Sequence, residues 1–366
     1  MVVGILGGGQ LARMMTLAGY PLGMKFIVLE PVEDACATPA AMQLQGNYDD
    51  EALLAELAEI ADVVTYEFEN VPARSVEFLN GKVEVYPPAQ ALAVAQDRLN
   101  EKTLFRDINI PTPKFAPVKS LTELQQVMEY IGYPAVLKTR REGYDGKGQV
   151  VLRSADKLES AWQIMNNKPA IVEEFVNFDR EVSVIAVRDR NGHTRCYPMT
   201  ENTHDNGILR TSITCPHEPV ESQAHDYIVR LLDRMEYVGV MTLELFQDGA
   251  QLLANECAPR VHNSGHWTQD GATTCQFENH LRAITSLPLG FTNAVGYAGM
   301  VNLIGDAPSS DQILVHPHCH LHLYGKEPRL GRKVGHINIQ CDDLAVFEAE
   351  FKTMQALASN TTAELP

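Results

Sequence analysis

The chain has 366 residues, 45% of them hydrophobic, enough for two or three domains each with its own core. A formal charge of −17 argues against a general nucleic-acid binder, which carries a basic face, so any anionic ligand must meet a local basic cluster. Seven scattered cysteines without a CxxC predict a reduced, cytoplasmic setting, and no apolar run is long enough to span a bilayer.

The chain opens directly on a strand, VVGIL (2–6), with no basic leader before it. GGGQLARMMTLAGYPLG then reads as a loop and a helix ending near Gly19, and KFIVLE (25–30) as a second strand. An amphipathic helix is predicted over 50–61, with Leu53, Leu54, Leu57 and Ala61 on one face, and a third strand over 62–69. This βαβαβ rhythm predicts a Rossmann-like parallel sheet with covering helices over residues 1–97. QDRLNEKTLFRDINI reads as helical and stops before Pro111-Thr112-Pro113; a further helix over 121–132 stops at Gly132. PAVLK and QVVLR form two strands around a Gly-rich loop, SADKLESAWQIMNN a helix and PAIVEEFV a strand, so 113–176 is expected to be a small α+β lid. From REVSVIAVRD to about residue 285 a larger sheet is expected, the whole unit spanning 98–289. The segment TSLPLGFTNAVGYAG is the best late linker, leaving 290–366 as a small, mostly β terminal domain.

Three motifs carry chemistry. Gly7, Gly9 and Ala12 match G-x-G-x-x-A after a strand, and Glu30 ends the next strand, as in a dinucleotide fingerprint. Any tight β-α turn also wants glycines, and any helix N-terminus can hold phosphate, so the fingerprint alone leaves a nicotinamide enzyme as a rival. The loop RREGYDGKGQ follows Lys138, and its glycines let backbone N–H groups approach phosphate oxygens. It lacks the Walker A spacing and lies between strands, so it reads as a mobile flap, with a plain Asp145-Gly146 hairpin turn as the bland alternative.

The third motif is VGVMTLELFQDGAQLLANECAPRVHNSGHWT, where Glu244 and Glu256 sit in two apolar strand-like runs joined by a polar turn. Carboxylates there are expensive unless a cation meets them, and Mg²⁺ takes such hard oxygen ligands together with substrate phosphates. Register decides whether they share a cation. A two-residue Asp248-Gly249 loop faces Glu244 with Leu253 and sends Glu256 to the opposite face. An odd loop with a bulge at Gly249 places the two diagonally on one face, about 7–8 Å apart at Cα. A shared metal is therefore expected to require an odd-length loop.

The order of a Lys-ended strand, a Gly-rich flap, an EEFV strand, a later acid and a paired-Glu hairpin resembles the ATP-grasp superfamily. More narrowly, GGGQLARM, TYEFENVP, KTRREGYDGKGQ, NGILRTS, NECAPRVHNSGHWTQDGA and GRKVGH resemble the 5-(carboxyamino)imidazole ribonucleotide synthases of purine biosynthesis, over about residues 4–340. The resemblance implies an ATP-grasp architecture and an ADP-forming ligase that activates bicarbonate as carboxyphosphate. The carboxyl group then passes to the exocyclic amine of 5-aminoimidazole ribonucleotide. It implies that Arg98, Lys138 and the loop Gly143, Tyr144, Asp145, Gly146, Lys147, Gly148 and Gln149 contact ATP. Glu173, Glu174, Phe175 and Val176 would line the adenine, Glu181 would take the ribose, and His204 and Asn255 would stand on the nucleotide side. Glu244 and Glu256 would hold Mg²⁺, two ions in the active complex, although Ala258 stands where many ATP-grasp enzymes carry a third ligand, an Asn.

Arg260 is the natural planar fork for a carbonate, His262 is placed to orient groups or move a proton, and the Asn263-Ser264-Gly265 backbone offers N–H donors. The ribonucleotide phosphate needs its own basic cluster, and KEPRLGRKVGH offers Lys326, Arg332 and Lys333. Tyr144 and Asp145 would cover the aminoimidazole, while Gln10, Leu11 and Glu67 would meet the substrate from the first domain. A homodimer with no nucleic-acid or membrane partner is expected. Alternating His316, His318, His320 and His322 lie too far apart along a strand for one ion and are read as structural.

Overall fold

A computed structural model describes residues 1–141, 143 and 148–361. The N-terminal sheet is parallel throughout, in the order β3-β2-β1-β4-β5. Its strands are β1 (Val2–Leu6), β2 (Lys25–Glu30), β3 (Met42–Gln45), β4 (Val63–Tyr66) and β5 (Glu84–Val85). The helix Glu51–Ile60 is capped by Asp50, whose carboxylate accepts from the N–H groups of Ala52 and Leu53, and it buries Leu54 and Leu57 against this sheet. Two short helices, Ala73–Leu79 and Ala89–Ala95, lead from the sheet to the helix Arg98–Asp107, which carries Arg98 at its first turn.

A second, antiparallel sheet runs β6-β9-β7-β8, with β6 (Phe115–Val118), β7 (Ala135–Thr139), β8 (Gln149–Leu152) and β9 (Ala170–Glu174). The helices Leu121–Ile131 and Leu158–Ile164 pack on one face of it around Trp162. Ser120 caps the first and Gly132, at φ 84°, ends it.

The central sheet runs β15-β14-β10-β12-β13-β16-β18-β17, with β11 paired to β10. Its strands are β10 (Arg180–Arg188), β11 (Thr194–Cys196), β12 (Thr200–Asp205), β13 (Ile208–Thr214), β14 (Gly239–Asp248), β15 (Gln251–Ala258), β16 (Tyr297–Ile304), β17 (Cys319–Leu323) and β18 (Lys333–Cys341). The last three strands form no sheet of their own; β16 adds directly to β13 and extends the central sheet. The C-terminal piece also carries the helix Leu344–Thr361, which buries Phe347, Phe351 and Met354. All seven cysteines are free thiols. Among the described residues no helix is long and apolar enough to cross a membrane.

Candidate active site

The hairpin β14–β15 solves the register problem by another route than the loop. Its turn is two residues, Gly249-Ala250, with Asp248 opposite Gln251. The odd-length loop expected from the sequence is therefore wrong. A register shift between Glu244 and Leu245 makes Asn255 the extra residue, so Glu244 faces Glu256 directly. Without it Glu256 would oppose Leu243 and point to the other face. The diversion has visible anchors. The N–H of Ala254 donates to the carbonyl of Pro111 at 2.7 Å, and the Ala254 carbonyl accepts from Lys102 Nζ at 3.0 Å and Thr112 Oγ1 at 3.2 Å.

The two glutamates differ in environment. Glu256 accepts from Arg98 Nη1 at 2.9 Å; burial acts to raise its pKa, but the guanidinium outweighs it and lowers it. Burial, then the facing Glu256, push Glu244 up to about 8. Asn255 Oδ1 is buried without a hydrogen-bond partner among the described residues. Two facing carboxylates, one of them unable to ionise comfortably, and a spare amide oxygen suit a hard divalent cation that keeps phosphate ligands. No group of three His, Cys, Asp or Glu is placed to hold a metal among the described residues.

Beside this pair, Glu173 at the end of β9 accepts from Lys138 Nζ at 3.0 Å, with Lys102 Nζ at 3.4 Å from the same oxygen. Burial would raise the Glu173 carboxyl, yet the two ammonium groups hold it at about 2. Arg98 Nη2 reaches the carbonyl of Gly143 at 3.4 Å. Asp97, the preceding residue, binds Arg140 through two bonds of 3.0 and 2.6 Å and so ties the start of the flap to this helix. At the far side Glu181 meets His204 Nδ1 at 2.8 Å; burial acts to lower the His204 pKa, but this contact raises it. Phe178 stacks on Phe246 with centroids 4.7 Å apart.

The segment after β15 supplies the opposite wall. Arg260 is bonded to Glu69, just past β4; despite burial, the guanidinium holds Glu69 at about 2. His262 Nε2 lies 3.2 Å from Glu244 Oε1. Burial foremost, then the Arg260 and Lys333 charges, push His262 well below the ordinary histidine value and keep it neutral. Gln276 clamps the segment, accepting from the His262 N–H at 2.9 Å and donating to the His262 carbonyl at 2.7 Å.

Of the backbone donors expected at 263–265, those of Ser264 and Gly265 are used within the turn. The N–H of Ser264 points to His262 Nδ1 and that of Gly265 to the His262 carbonyl, while the Ser264 side chain is buried against Ser183. A chain that turns straight into a tight 3-10 turn uses those N–H groups internally. Asn263 does line the cavity. His266 is fully buried. The four later histidines also pack locally: His316 on Glu350, His318 near Cys341, and His320 and His322 on Asp270.

The N-terminal turn is closed to a dinucleotide. The Gly9 and Ala12 N–H groups both donate to the Glu67 carboxylate, and Gly8 N–H to Glu30 at 2.9 Å. A Cβ at Gly7, which sits at φ +109°, would fall 2.4 Å from Glu67 Cγ. The glycines make room for a carboxylate of this chain at the position a pyrophosphate would take. Gln10 Oε1 meets Lys326 Nζ, and Arg332 Nη1 donates to the carbonyl of Glu327 at 3.2 Å.

One cavity of about 800 Å³ brings most of these groups together. It is lined by Gln10, Leu11, Glu67, Arg98, Lys138, Gly143, Gln149, Glu173, Glu174, Phe175, Val176, Glu181, His204, Glu244, Asn255, Glu256, Arg260, His262, Asn263 and Lys333. Lys326, Arg332 and Gly148 are not on its wall, although Lys326 meets Gln10, which is. Tyr144, Asp145, Gly146 and Lys147 lie outside the described residues. Sequence reading missed Glu69, the Phe178–Phe246 stack and Lys102. Glu69 was within reach, since TYEFENVP holds two acids and only the first was assigned.

A parallel N-terminal sheet, a small antiparallel lid and a carboxylate hairpin around a lysine-lined cavity define an ATP-grasp ligase. The ATP-grasp domain model matches residues 103–277, the ribonucleotide synthetase preATP-grasp domain 1–96 and the phosphoribosylaminoimidazole carboxylase C-terminal domain 298–350. The chain is 50% identical to N5-carboxyaminoimidazole ribonucleotide synthase of Pseudomonas aeruginosa, covering 98% of this chain and 99% of that one. It superposes on the N5-carboxyaminoimidazole ribonucleotide synthetase of Thermus thermophilus with a TM-score of 0.94, 47% identity and coverage of 100% and 99%. An Aspergillus clavatus N5-carboxyaminoimidazole synthase solved with ADP and 5-aminoimidazole ribonucleotide gives 0.91 at 27% identity, covering 98% of each chain. The chain belongs to the N5-carboxyaminoimidazole ribonucleotide synthase family, and it is an ATP-dependent ligase that carboxylates 5-aminoimidazole ribonucleotide in purine biosynthesis.

Proposed function

We propose that the carboxyl donor is bicarbonate and that the reaction passes through carboxyphosphate. A bicarbonate oxygen attacks the γ-phosphorus, the bond to the β–γ bridging oxygen breaks and ADP leaves. The exocyclic amine then attacks the carboxyl carbon, the C–N bond forms, phosphate leaves and the amine loses a proton. The observation that carries this reading is the Asn255 bulge, which turns Glu244 and Glu256 to one face beside Lys138 and Arg260.

Arg98, Lys138 and the flap residues 143–149 bind the ATP phosphates, with Asn255 and Glu256. Glu173–Val176 line the adenine, while Glu181 and His204 hold the ribose side. Glu244 and Glu256 would hold Mg²⁺, two ions in the active complex; Mg²⁺ neutralises charge on the transferred phosphoryl group when bound. Arg260 orients bicarbonate in line with the γ-phosphate, and its tie to Glu69 fixes the planar fork. Gln10, Leu11, Glu67, Tyr144, Asp145 and Asn263 hold the ribonucleotide, whose phosphate meets Lys326, Arg332 and Lys333. The flap excludes water from the labile intermediate. The units 1–97, 98–289 and 290–366 serve as ribonucleotide-side domain, ATP-grasp region and terminal domain of a cytoplasmic homodimer. ADP release, measured with each substrate left out in turn, tests the reading. Release must need both bicarbonate and 5-aminoimidazole ribonucleotide; release driven by formate, or without bicarbonate, overturns it.

A further inference from the structure

The two ring nitrogens of His262 have different neighbours. Nδ1 faces the backbone N–H of Ser264 at 3.3 Å and Ser264 Oγ at 2.9 Å. A backbone N–H can only donate, so Nδ1 presents a lone pair, and the proton of the neutral ring sits on Nε2. Nε2 points at Glu244 Oε1 across 3.2 Å.

Behind Ser264 the hydroxyls are polarised in the same sense. Ser212 Oγ donates to Asn202 Oδ1 at 2.7 Å, which fixes the amide so that Asn202 Nδ2 donates to Ser183 Oγ at 2.9 Å. Ser183 Oγ lies 2.8 Å from both Ser264 Oγ and Thr200 Oγ1, and donation to Ser264 leaves the Ser264 proton for His262 Nδ1. Ser183, Ser212, Ser264 and Asn202 are all buried, and Ser183 is the cross-strand partner of Glu244. What fixes the sense at His262 is the Ser264 backbone N–H, which cannot reverse.

We propose that Ser264 and Ser183 are positioning residues for His262, the Ser264 backbone N–H fixing the ring as its Nε2–H tautomer. His262 then serves the reaction as a hydrogen-bond donor to an anionic oxygen of bicarbonate or carboxyphosphate, and not as the base that takes the amine proton. This rests on the carboxylation reading above. A base at Nε2 would need the proton on Nδ1, where it would oppose the Ser264 N–H. No bond forms or breaks at the ring; it only stabilises charge on the oxygen it meets.

Nitrogen-15 NMR of histidine-labelled protein, with the His262 signals assigned by their loss in His262→Gln, reads the tautomer without turnover. The expected result is a proton on Nε2 alone, retained in Ser264→Ala because the backbone N–H that faces Nδ1 remains. A proton on Nδ1, or on both nitrogens, at neutral pH overturns the proposal. Steady-state ADP release is the second measurement, on variants first checked by thermal melting. Gln can place an N–H near the Nε2 position but has no titratable group. His262→Gln should stay within about tenfold of the parent kcat, whereas His262→Ala should lose roughly 10²–10³, the cost of one oxyanion donor. A His262→Gln as inactive as His262→Ala overturns the donor role. Ser183→Ala and Ser264→Ala should each lower kcat about tenfold with both KM values within about twofold, and the double variant should be no worse than the worse single one. Additive losses overturn the relay. Failure of the parent to release ADP with 5-aminoimidazole ribonucleotide would fall on the carboxylation reading, and the NMR result would still decide the tautomer.

Discussion

Replacing Glu244 by Gln should change the pH dependence of stability in protein stripped of divalent cations. Burial and the facing Glu256 move the Glu244 carboxyl from an ordinary 4.5 to about 8, a difference of about 3.5 pH units. At about 1.4 kcal/mol per unit the ceiling is about 5 kcal/mol. Side-chain relaxation reduces this, and about 3 kcal/mol is a reasonable working figure. The folded carboxyl keeps its proton to higher pH than the unfolded one. Its contribution is therefore complete below about pH 4.5 and is lost as pH rises toward 8. Glu101, raised to about 7 by burial and then by Glu256, gives the same trend, so the parent curve alone does not isolate Glu244. The difference between Glu244→Gln and the parent does. It should be under about 1 kcal/mol at pH 5 and about 3 kcal/mol at pH 8. At roughly 2 °C per kcal/mol that is about 6 °C in Tm. Calorimetric melts in chelator across pH 5 to 8 measure it, and adding Mg²⁺ with ADP should narrow the gap. Parallel Tm curves for the two proteins would refute the reasoning.

Glu256→Gln should abolish turnover while circular dichroism and the melt remain those of a folded protein; near-normal ADP release would remove the metal role. Arg332→Ala should raise the ribonucleotide KM by about 10–100-fold, the worth of one charged phosphate contact, and leave the ATP KM nearly unchanged. Equal effects on both would move Arg332 out of the phosphate site. Lys102→Met removes a fully buried ammonium that binds Glu173 and the Ala254 carbonyl. It should cost about 2–4 kcal/mol, near the lower range for a broken buried pair because Lys138 still meets Glu173. Lys102→Met with Glu173→Gln should recover part of that loss in thermal melts, and strictly additive losses would contradict the pairing.

The parts of this fold that obey local rules were legible in the sequence. Asp50 caps its helix, Gly132 ends another, and Leu54 and Leu57 face the core at helical spacing. The strands β1, β2 and β4 followed from hydrophobic runs alone, whereas the short strands β3 and β5, which complete the parallel sheet, did not. The site was legible as far as parity: two carboxylates twelve positions apart must gain one residue to share a face. Where that residue enters was not legible, because the cause is remote. The ladder is diverted at Ala254 by Pro111, Thr112 and Lys102, more than 140 residues earlier in the chain. A turn can be inferred from its own dipeptide, whereas a bulge held by another helix cannot. The glycine turn failed in the same way. Gly7 and Gly9 promise a tight turn that can hold an anion, but only the fold reveals that the anion is Glu67.

Charge pairing in the cavity then explains why Glu244 differs from its neighbours. Glu256 has Arg98, Glu69 has Arg260, Glu173 has Lys102 and Lys138, Asp97 has Arg140, and Glu181 has His204. Among the described residues Glu244 has only His262 at ion-pair distance, and burial holds that ring neutral. A carboxylate placed on a dry wall, opposite a second carboxylate that is already paired, is stable only with its proton or with an added cation. Nothing in the spacing of Glu244 and Glu256 distinguishes them; the asymmetry arises because Arg98, at the start of a helix from the preceding segment, reaches one and not the other. The residue lacking a cationic side chain is therefore the one whose ionisation, and whose stability at high pH, should answer most directly to a bound divalent ion.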